Sequence, residues 1–374
     1  MRRKACTVLF FLYSLCNMGL GQASASQDNS DPEPQKRELP RMPGSVMLYG
    51  FAPDRVYLSM PSGILKLQPL QGESRVREGP WFDPSITLDG GVVASALLKQ
   101  YRPRTVAIAT YSVVEKKWTE YAEGDFNAGV AISPDGARLA YLGGSEETDC
   151  GYSVRRIHVI DRKARRETIA PMRTCVQPKP VEIRPDGEVI VRNVWENSRM
   201  GMSFSPRGER LAYGSYPIRV WDIDNNTERE VAAGEMPAWS PDGEWIAYIN
   251  SERDQRRSTF SLVHADGSGD KVVITLPRGD FFGDSPVWSP DSKSLLLNVN
   301  RGHIPAIMLP LDYIAAVFLI TFHDIWPISR QAGKFFGDGP AVFDMRLLDM
   351  RTLKLKTVRK DVWLVHGWAK ATSH

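Results

Sequence analysis

Cysteine and histidine are scarce in this chain, four and six residues among 374. Neither type stands in ligand spacing: Cys-x-x-Cys and His-x-x-x-His do not occur, so no zinc site is signalled. Gly-x-Ser-x-Gly is absent too, and no segment alternates strand and helix patterns, which argues against a hydrolase domain of the prolyl-oligopeptidase type. Phosphate-cradling glycine motifs are missing; Gly90-Gly91 and Gly143-Gly144 read as turns. The sequence therefore predicts no catalytic residue, no metal and no cofactor. Charge of one sign is not in excess, with 47 basic against 44 acidic residues. Long apolar runs are lacking: Ala5–Leu20 and Tyr313–Phe322 both fall short of the ~20 residues a membrane-spanning helix needs.

What is present begins with an export signature. Arg2, Arg3 and Lys4 precede the apolar run, and Gly21-Gln22-Ala23-Ser24-Ala25 ends it in Ala-x-Ala form, the order of a secretory signal peptide over residues 1–25. An uncleaved anchor is the alternative; a lipoprotein cysteine at Cys16 lacks the small preceding residue. Removal of residues 1–25 takes away three positive charges, so the formal +3 becomes zero. That leaves no basic field for nucleic acid. Residues 26–43 are polar and proline-rich and read as a disordered leader. Residues 44–374 form the folded region, and a periplasmic or secreted location follows.

Within residues 44–374 a single pattern recurs. Met236–Asn250 carries an apolar strand, the turn Ser240-Pro241-Asp242-Gly243, and a second strand whose two faces are both apolar, as in a sheet covered on both sides. Full copies lie at Ala128–Tyr141, Met202–Tyr213 and Pro286–Leu297. Degenerate ones lie at Val46–Leu58, which keeps Pro53-Asp54, and Ser85–Ala94. Each is followed by two further strand patterns, among them Arg156–Asp161 and Ile218–Asp222. For the first unit these would be Ile64–Leu67 and Ser74–Arg77. Self-similar four-strand units at ~40–50 residues predict a β-propeller, one blade per unit. The fold class is all-β, a single propeller of four-stranded blades. The hairpin Val181–Val191 stands too close to its neighbours to be a blade; six blades are preferred, and counting it would give seven. Val362–Ala369 reads as a first strand without its turn and is expected to seal the ring.

The turn aspartates Asp54, Asp135, Asp186, Asp242 and Asp291 are explained by Asx-type hydrogen bonds and need no calcium. Trp239, Trp245, Trp288 and Phe204 read as blade packing, and His158 and His264 as strand residues facing a neighbouring blade or solvent. With Trp-Ser-Pro-Asp-Gly and third strands ending near Asp-Gly, the chain resembles the TolB-type family of propeller repeats over roughly residues 46–300. The resemblance implies a fold and no activity, since function is added to propellers through their loops.

Resemblance to other propellers also implies that second-to-third-strand loops and blade-to-blade links share one face. Cys150 and Cys175 would both lie there, implying one disulfide in an oxidising compartment, with two free thiols as the alternative. The insert at about 301–340 leaves from the same face. Its apolar stretch is either a buried segment or a partner-binding or membrane-touching element. Arg301, His303, Phe318, His323, Asp324 and Trp326 are its candidate partner-binding residues.

The leading expectation is a non-enzymatic exported scaffold binding another protein or an envelope component. The alternative is a propeller hydrolase or lyase with its site at the central channel. First-strand residues near the channel mouth read mostly as Gly, Ala, Met and Ser, which weighs against it. A WD-repeat scaffold, suggested by Trp221-Asp222 alone, is the weakest reading.

Overall fold

The computed structural model describes residues 42–371 except 43, 52–54, 68–80, 102–103, 125–128, 148–152, 172–180, 184–188, 192–200, 215, 253–256, 279, 301–342 and 363. All fall within the unit Pro40–His374. Blade 2 is β4 (Trp81–Ile86), β5 (Val92–Tyr101), β6 (Arg104–Ser112) and β7 (Lys117–Gly124). Blade 3 is β8 (Val130–Ile132), β9 (Arg138–Glu147), β10 (Ser153–Asp161) and β11 (Arg166–Ile169). Blade 4 is β14 (Gly201–Phe204), β15 (Arg210–Gly214), β16 (Ile218–Asp222) and β17 (Thr227–Ala232). Blade 5 is β18 (Glu235–Trp239), β19 (Ile246–Glu252), β20 (Arg257–Val263) and β21 (Lys271–Thr275).

Blade 6 has a first strand in two pieces, β22 (Phe281–Phe282) and β23 (Val287–Trp288). Both pair with β24 (Ser294–Asn300), which is followed by β25 (Phe343–Asp349) and β26 (Lys354–Val362). Blade 1 joins the two ends of the chain. Its sheet runs β27 (Leu364–Lys370), β1 (Ser45–Phe51), β2 (Arg55–Met60), β3 (Gly63–Leu67). The chain is a six-bladed β-propeller. The hairpin β12 (Val181–Ile183) and β13 (Val189–Val191) pairs only with itself among the described strands and adds no blade.

The strand assignments of blade 1 shift by one. Val46–Phe51 is its second strand, not its first, because the C-terminal β27 takes the innermost place and pairs with β1 antiparallel. The expected sealing of the ring by the C-terminal strand is thus met by strand exchange into blade 1, which leaves no open innermost edge. The fourth strand expected at Ser74–Arg77 lies outside the described residues.

The repeated turn explains why the hairpins form. Ser240 Oγ donates to Asp242 Oδ1 at 2.6 Å and accepts from Trp245 N at 2.9 Å, while Glu244 N bonds the same carboxylate at 3.0 Å. The arrangement returns at Ser133 and Asp135, and at Ser289 and Asp291. Thr87 and Asp89 reproduce it in blade 2. Gly243 takes the left-handed φ of +81° that the turn requires, and in blade 6 Ser292 does so at +58°. In Ser205-Pro206-Arg207-Gly208 the aspartate is gone, but Arg210 N still bonds Ser205 Oγ at 3.1 Å.

The first strands touch in the cyclic order β27, β4, β8, β14, β18, β23. Apolar clusters fill the seams between successive blades from 1 to 6: Leu48 with Val93, Ile108 with Leu139, Leu142 with Phe204, Val220 with Trp239, and Phe260 with Leu297. Burial on both faces of each sheet is what the two-sided apolar pattern requires. Hydrogen bonds tie the same seams. Lys370 N donates to Leu88 O, Ile132 N to Ser85 Oγ, Arg138 Nη1 to Gly208 O, Trp239 N to Ser203 Oγ, and Trp288 Nε1 to Ala238 O. The seam from blade 6 to blade 1 is clamped by Asn298, whose buried amide donates to Val365 O at 3.0 Å and accepts from Val365 N at 3.1 Å.

Candidate functional site

Each blade is an antiparallel meander, so its first-to-second and third-to-fourth turns lie at one end, the turn face. Its second-to-third connection and the link to the next blade lie at the other, the link face. The two ends of the central channel therefore differ in kind.

A cavity of about 150 Å³ opens along the axis and is lined by first-strand residues of all six blades. Pro134, Pro206 and Pro241 from the repeated turns stand at its turn-face end, with Trp239 and Trp288 on the wall. The wall is mainly apolar or hydroxylated, and Ser85 and Ser203 are already engaged by backbone N–H groups of the next blade. Trp239 and Trp288 are 7% and 6% exposed, and their indole N–H groups bond backbone carbonyls, so the expectation that they pack blades holds. Trp245 is different: its ring stacks on His264 at 3.8 Å and lies 4.2 Å below Lys271 Nζ.

Charge collects toward the link face between blades 6 and 1. The interruption between β22 and β23 carries Asp284, whose Oδ2 stands 2.9 Å from Nδ1 of His366 on β27. His366 also lines the cavity. Gly283, in the same interruption, is where the Phe343 ring comes so close that a β-carbon could not be accommodated without a shift. Nearby in the sheet, Arg346 lies between Asp280 at 3.6 Å and Asp344 at 3.8 Å. Its Nε is buried with no hydrogen-bond partner among the described residues. Among those residues no group of three or more His, Cys, Asp or Glu could hold a metal ion.

Three tyrosines on second strands have their hydroxyls spent on a carboxylate of the same blade: Tyr141 on Glu167, Tyr213 on Glu228, and Tyr248 on Asp270. Burial, then the acidic partner, pushes the Tyr141 and Tyr248 hydroxyls well above the ordinary phenol range. His158 joins the first of these pairs through Glu167 at 3.1 Å. They are structural repeats, legible in hindsight as Ala-Tyr at the same offset after each turn.

Of the residues singled out in the sequence, Asp135, Asp242 and Asp291 sit in Asx turns as expected, whereas Asp54 and Asp186 lie outside the described residues. Cys150, Cys175, Arg301, His303, Phe318, His323, Asp324 and Trp326 also lie outside them. The bounds of the insert are described: β24 ends at Asn300 and β25 begins at Phe343, both at the link face. His366 and Asp284 escape sequence reasoning: Val362–Ala369 reads as a ring-sealing first strand, but no motif marks which of its side chains faces the channel, and the break that carries Asp284 matches no repeat pattern.

No family model matches the chain. It is 35% identical over 80 residues to the Tol-Pal system protein TolB of Actinobacillus succinogenes, covering 19% of this chain and 18% of that protein. It is 30% identical over 114 residues to the uncharacterized peptidase YuxL of Bacillus subtilis, covering 26% and 17%. Dipeptidyl-peptidase 5 of Porphyromonas gingivalis is 30% identical over 112 residues, with 25% and 16% covered. The chain thus spans less than a fifth of the length of each of these curated relatives.

Among solved structures, a putative TolB from Agrobacterium tumefaciens superposes at a TM-score of 0.48 and 16% identity, covering 86% of this chain and 92% of that one. A chain of a nidogen/laminin complex gives 0.50 and 9%, covering 88% and 99%. Such identities speak for fold alone.

Proposed function

We propose that this chain is an exported, non-enzymatic propeller scaffold that binds a partner protein or an envelope component through its link face. The observation that carries the reading is the asymmetry of the two faces. Five blades close on the turn face with one short, internally satisfied turn, while the described blade strands that bracket residues 68–80, 148–152, 172–200 and 301–342 end or begin at the link face. Long connections on a rigid scaffold are where recognition residues collect. The Cys150–Cys175 pair and the insert residues Arg301, His303, Phe318, His323, Asp324 and Trp326 belong to those connections. One relative named as a Tol-Pal system protein supports an envelope location.

The test places photo-crosslinking amino acids on the two faces of the full chain in the cell envelope. Adducts are expected from positions in 301–342 and not from the exposed turn positions 135, 242 and 291. Deletion of 305–335 should abolish the adducts and leave the β-sheet circular dichroism spectrum and cooperative melting intact. Adducts of equal yield from both faces would overturn the reading, and a misfolded deletion would show that the insert belongs to the core.

The second reading is a hydrolase or lyase at the channel, favoured by one observation: His366 on the cavity wall is paired through Nδ1 with Asp284. A carboxylate so placed fixes the tautomer of an imidazole, as an acid–base group requires. Turnover of a peptide or saccharide substrate that disappears in His366→Gln, with the fold retained, would select this reading over the scaffold.

A further inference from the structure

We propose that the outer edge of blade 6 is a docking strand for an extended acidic peptide. β26 is the outermost strand of its sheet, nine residues long, and pairs only with β25 among the described strands. Among the described residues no strand covers its outward backbone N–H and C=O groups, and from Lys354 to Thr357 it keeps an unbroken register before bulging at Val358. An open edge alone is common to every blade. The charge on this one is not.

From residue 350 to 362 the chain carries Arg351, Lys354, Lys356, Arg359 and Lys360 against the single acid Asp361. Arg351, Lys354, Lys356 and Lys360 are exposed. No hydrogen bond or ion pair to another described side chain engages the three lysines. The basic turn of blade 3 makes the contrast. There Arg162 bonds the Tyr121 hydroxyl at 3.0 Å, and Arg165 bonds Glu120 O at 2.9 Å and lies over the Tyr121 ring at 4.2 Å. Those cations are spent within the protein, and the blade 6 lysines have no such partner among the described residues. In blade 2, likewise, Lys99 of the second strand neutralises Glu120 and Glu123 of the outer strand at 3.0 and 2.7 Å.

The choice of occupant follows from combining edge and charge. Lysines along an open edge repel a second copy of the same strand, which is how edges are protected against self-pairing. The same lysines attract an acidic strand, and Lys354 and Lys356 have the alternate spacing that cross-strand carboxylates would meet. Thr357 and Val358, also exposed, leave the middle of the edge free of bulky charge. An anionic lipid surface would use the lysines but not the open backbone row. A strand-forming acidic peptide uses both.

The experiment measures binding of a fluorescent peptide alternating glutamate and threonine to the full chain by anisotropy. Comparison probes are its glutamine counterpart, the same acidic peptide N-methylated at alternate residues, and phosphatidylglycerol vesicles. The acidic peptide is expected to bind, and the glutamine and N-methylated forms to bind far more weakly. The triple variant Lys354→Gln/Lys356→Gln/Lys360→Gln should lose about tenfold in affinity, from the cross-strand pairs of Lys354 and Lys356 and the longer-range attraction of Lys360, which the bulge at Val358 takes out of their register. A control pair on blade 3, Lys163→Gln/Arg166→Gln, should leave affinity unchanged, and circular dichroism checks that both variants fold. Equal affinity for the N-methylated peptide, binding of vesicles with none of the peptide, or concentration-dependent self-association through this edge would each overturn the proposal, as would indifference to the triple variant.

Discussion

The two faces of the propeller are built by opposite means. On the turn face, blades 2 to 6 repeat one closed pattern in which a hydroxyl and, in four of them, a carboxylate satisfy the backbone groups of a tight turn. On the link face the blades end differently: a broken first strand in blade 6, a bulge at Glu235 to Ala238 in blade 5, and another at Phe82 to Ser85 in blade 2. Among the described residues, buried or half-buried charge gathers where that irregularity is greatest, at Asp280, Asp284, Asp344, Arg346 and His366. Uniform turns make a ring close; irregular ends make it specific.

The comparison is tested most severely at the seam from blade 6 to blade 1, which lies toward the irregular face. Asn298→Ala removes both partners of a buried backbone amide and carbonyl on Val365. With each buried group costing ~1–3 kcal/mol when left unpaired, the loss should be about 3 kcal/mol in urea denaturation. A cost under ~1 kcal/mol would mean that β27 is held by its ladder with β1 and not by the clamp.

On the turn face the effects should be smaller and, above all, equal. Ser240→Ala removes the acceptor of Trp245 N and the donor to Asp242, a loss of roughly 1–2 kcal/mol. Ser133→Ala and Ser289→Ala should cost the same within about 0.5 kcal/mol, the usual scatter of independent sites. If the three values spread over several kcal/mol, the turns are alike in geometry but not in energy.

How much can be read in the chain divides along the same line. The turns and hairpins are legible because their chemistry is local: serine, proline, aspartate and glycine act within five residues. The closing strand is legible as a first strand that seals the ring, but not as the one that moves Val46–Phe51 to second place in blade 1, since its partner is at the other end of the chain; Trp368 Nε1 bonds Ser45 Oγ across 323 positions. Counting strands forward from the first one met puts Val46–Phe51 in the wrong place. A missing first strand at the start and a surplus one at the end are the available signal. His366 stays hidden because no motif marks which side chains of that strand face the channel, and Asp284 because it occupies a break that no repeat pattern predicts. Arg346 is one of many charged strand residues until the fold places Asp280 beside it.

Acid should erode the turn face in a defined direction. Hydrogen bonds from Ser289 hold the Asp291 carboxyl below the ordinary value of 3.8, and backbone N–H groups of Ala164, Asn225 and Thr352 do the same for Asp161, Asp222 and Asp349. A folded-state value below the unfolded one means that the unfolded chain binds more protons in this window, so stability rises with pH there. The contribution is fully present above the unfolded value of 3.8 and is lost as pH falls through the folded values. Urea midpoints should therefore be insensitive to these groups from pH 7 to about 5 and fall below about pH 4. Asp291→Asn should flatten that fall.

The smallest effect isolates the one turn that departs from the rule. Ser292 adopts a φ of +58° where the other turns place glycine, and its Oγ accepts a hydrogen bond from Asp242 N of the neighbouring blade at 3.0 Å. A side chain in the left-handed region costs ~1–2 kcal/mol relative to glycine. An exposed hydrogen bond returns about 1 kcal/mol. Ser292→Ala keeps the strain and loses the bond, so it should destabilise by about 1 kcal/mol in urea denaturation. Ser292→Gly loses the bond but relieves the strain, so it should change stability by less than ~0.5 kcal/mol. Equal costs for the two variants would show that the backbone of this turn carries no strain. The serine would then be retained solely as the acceptor that links the turns of blades 5 and 6, making even the regular face depend on one contact between neighbours.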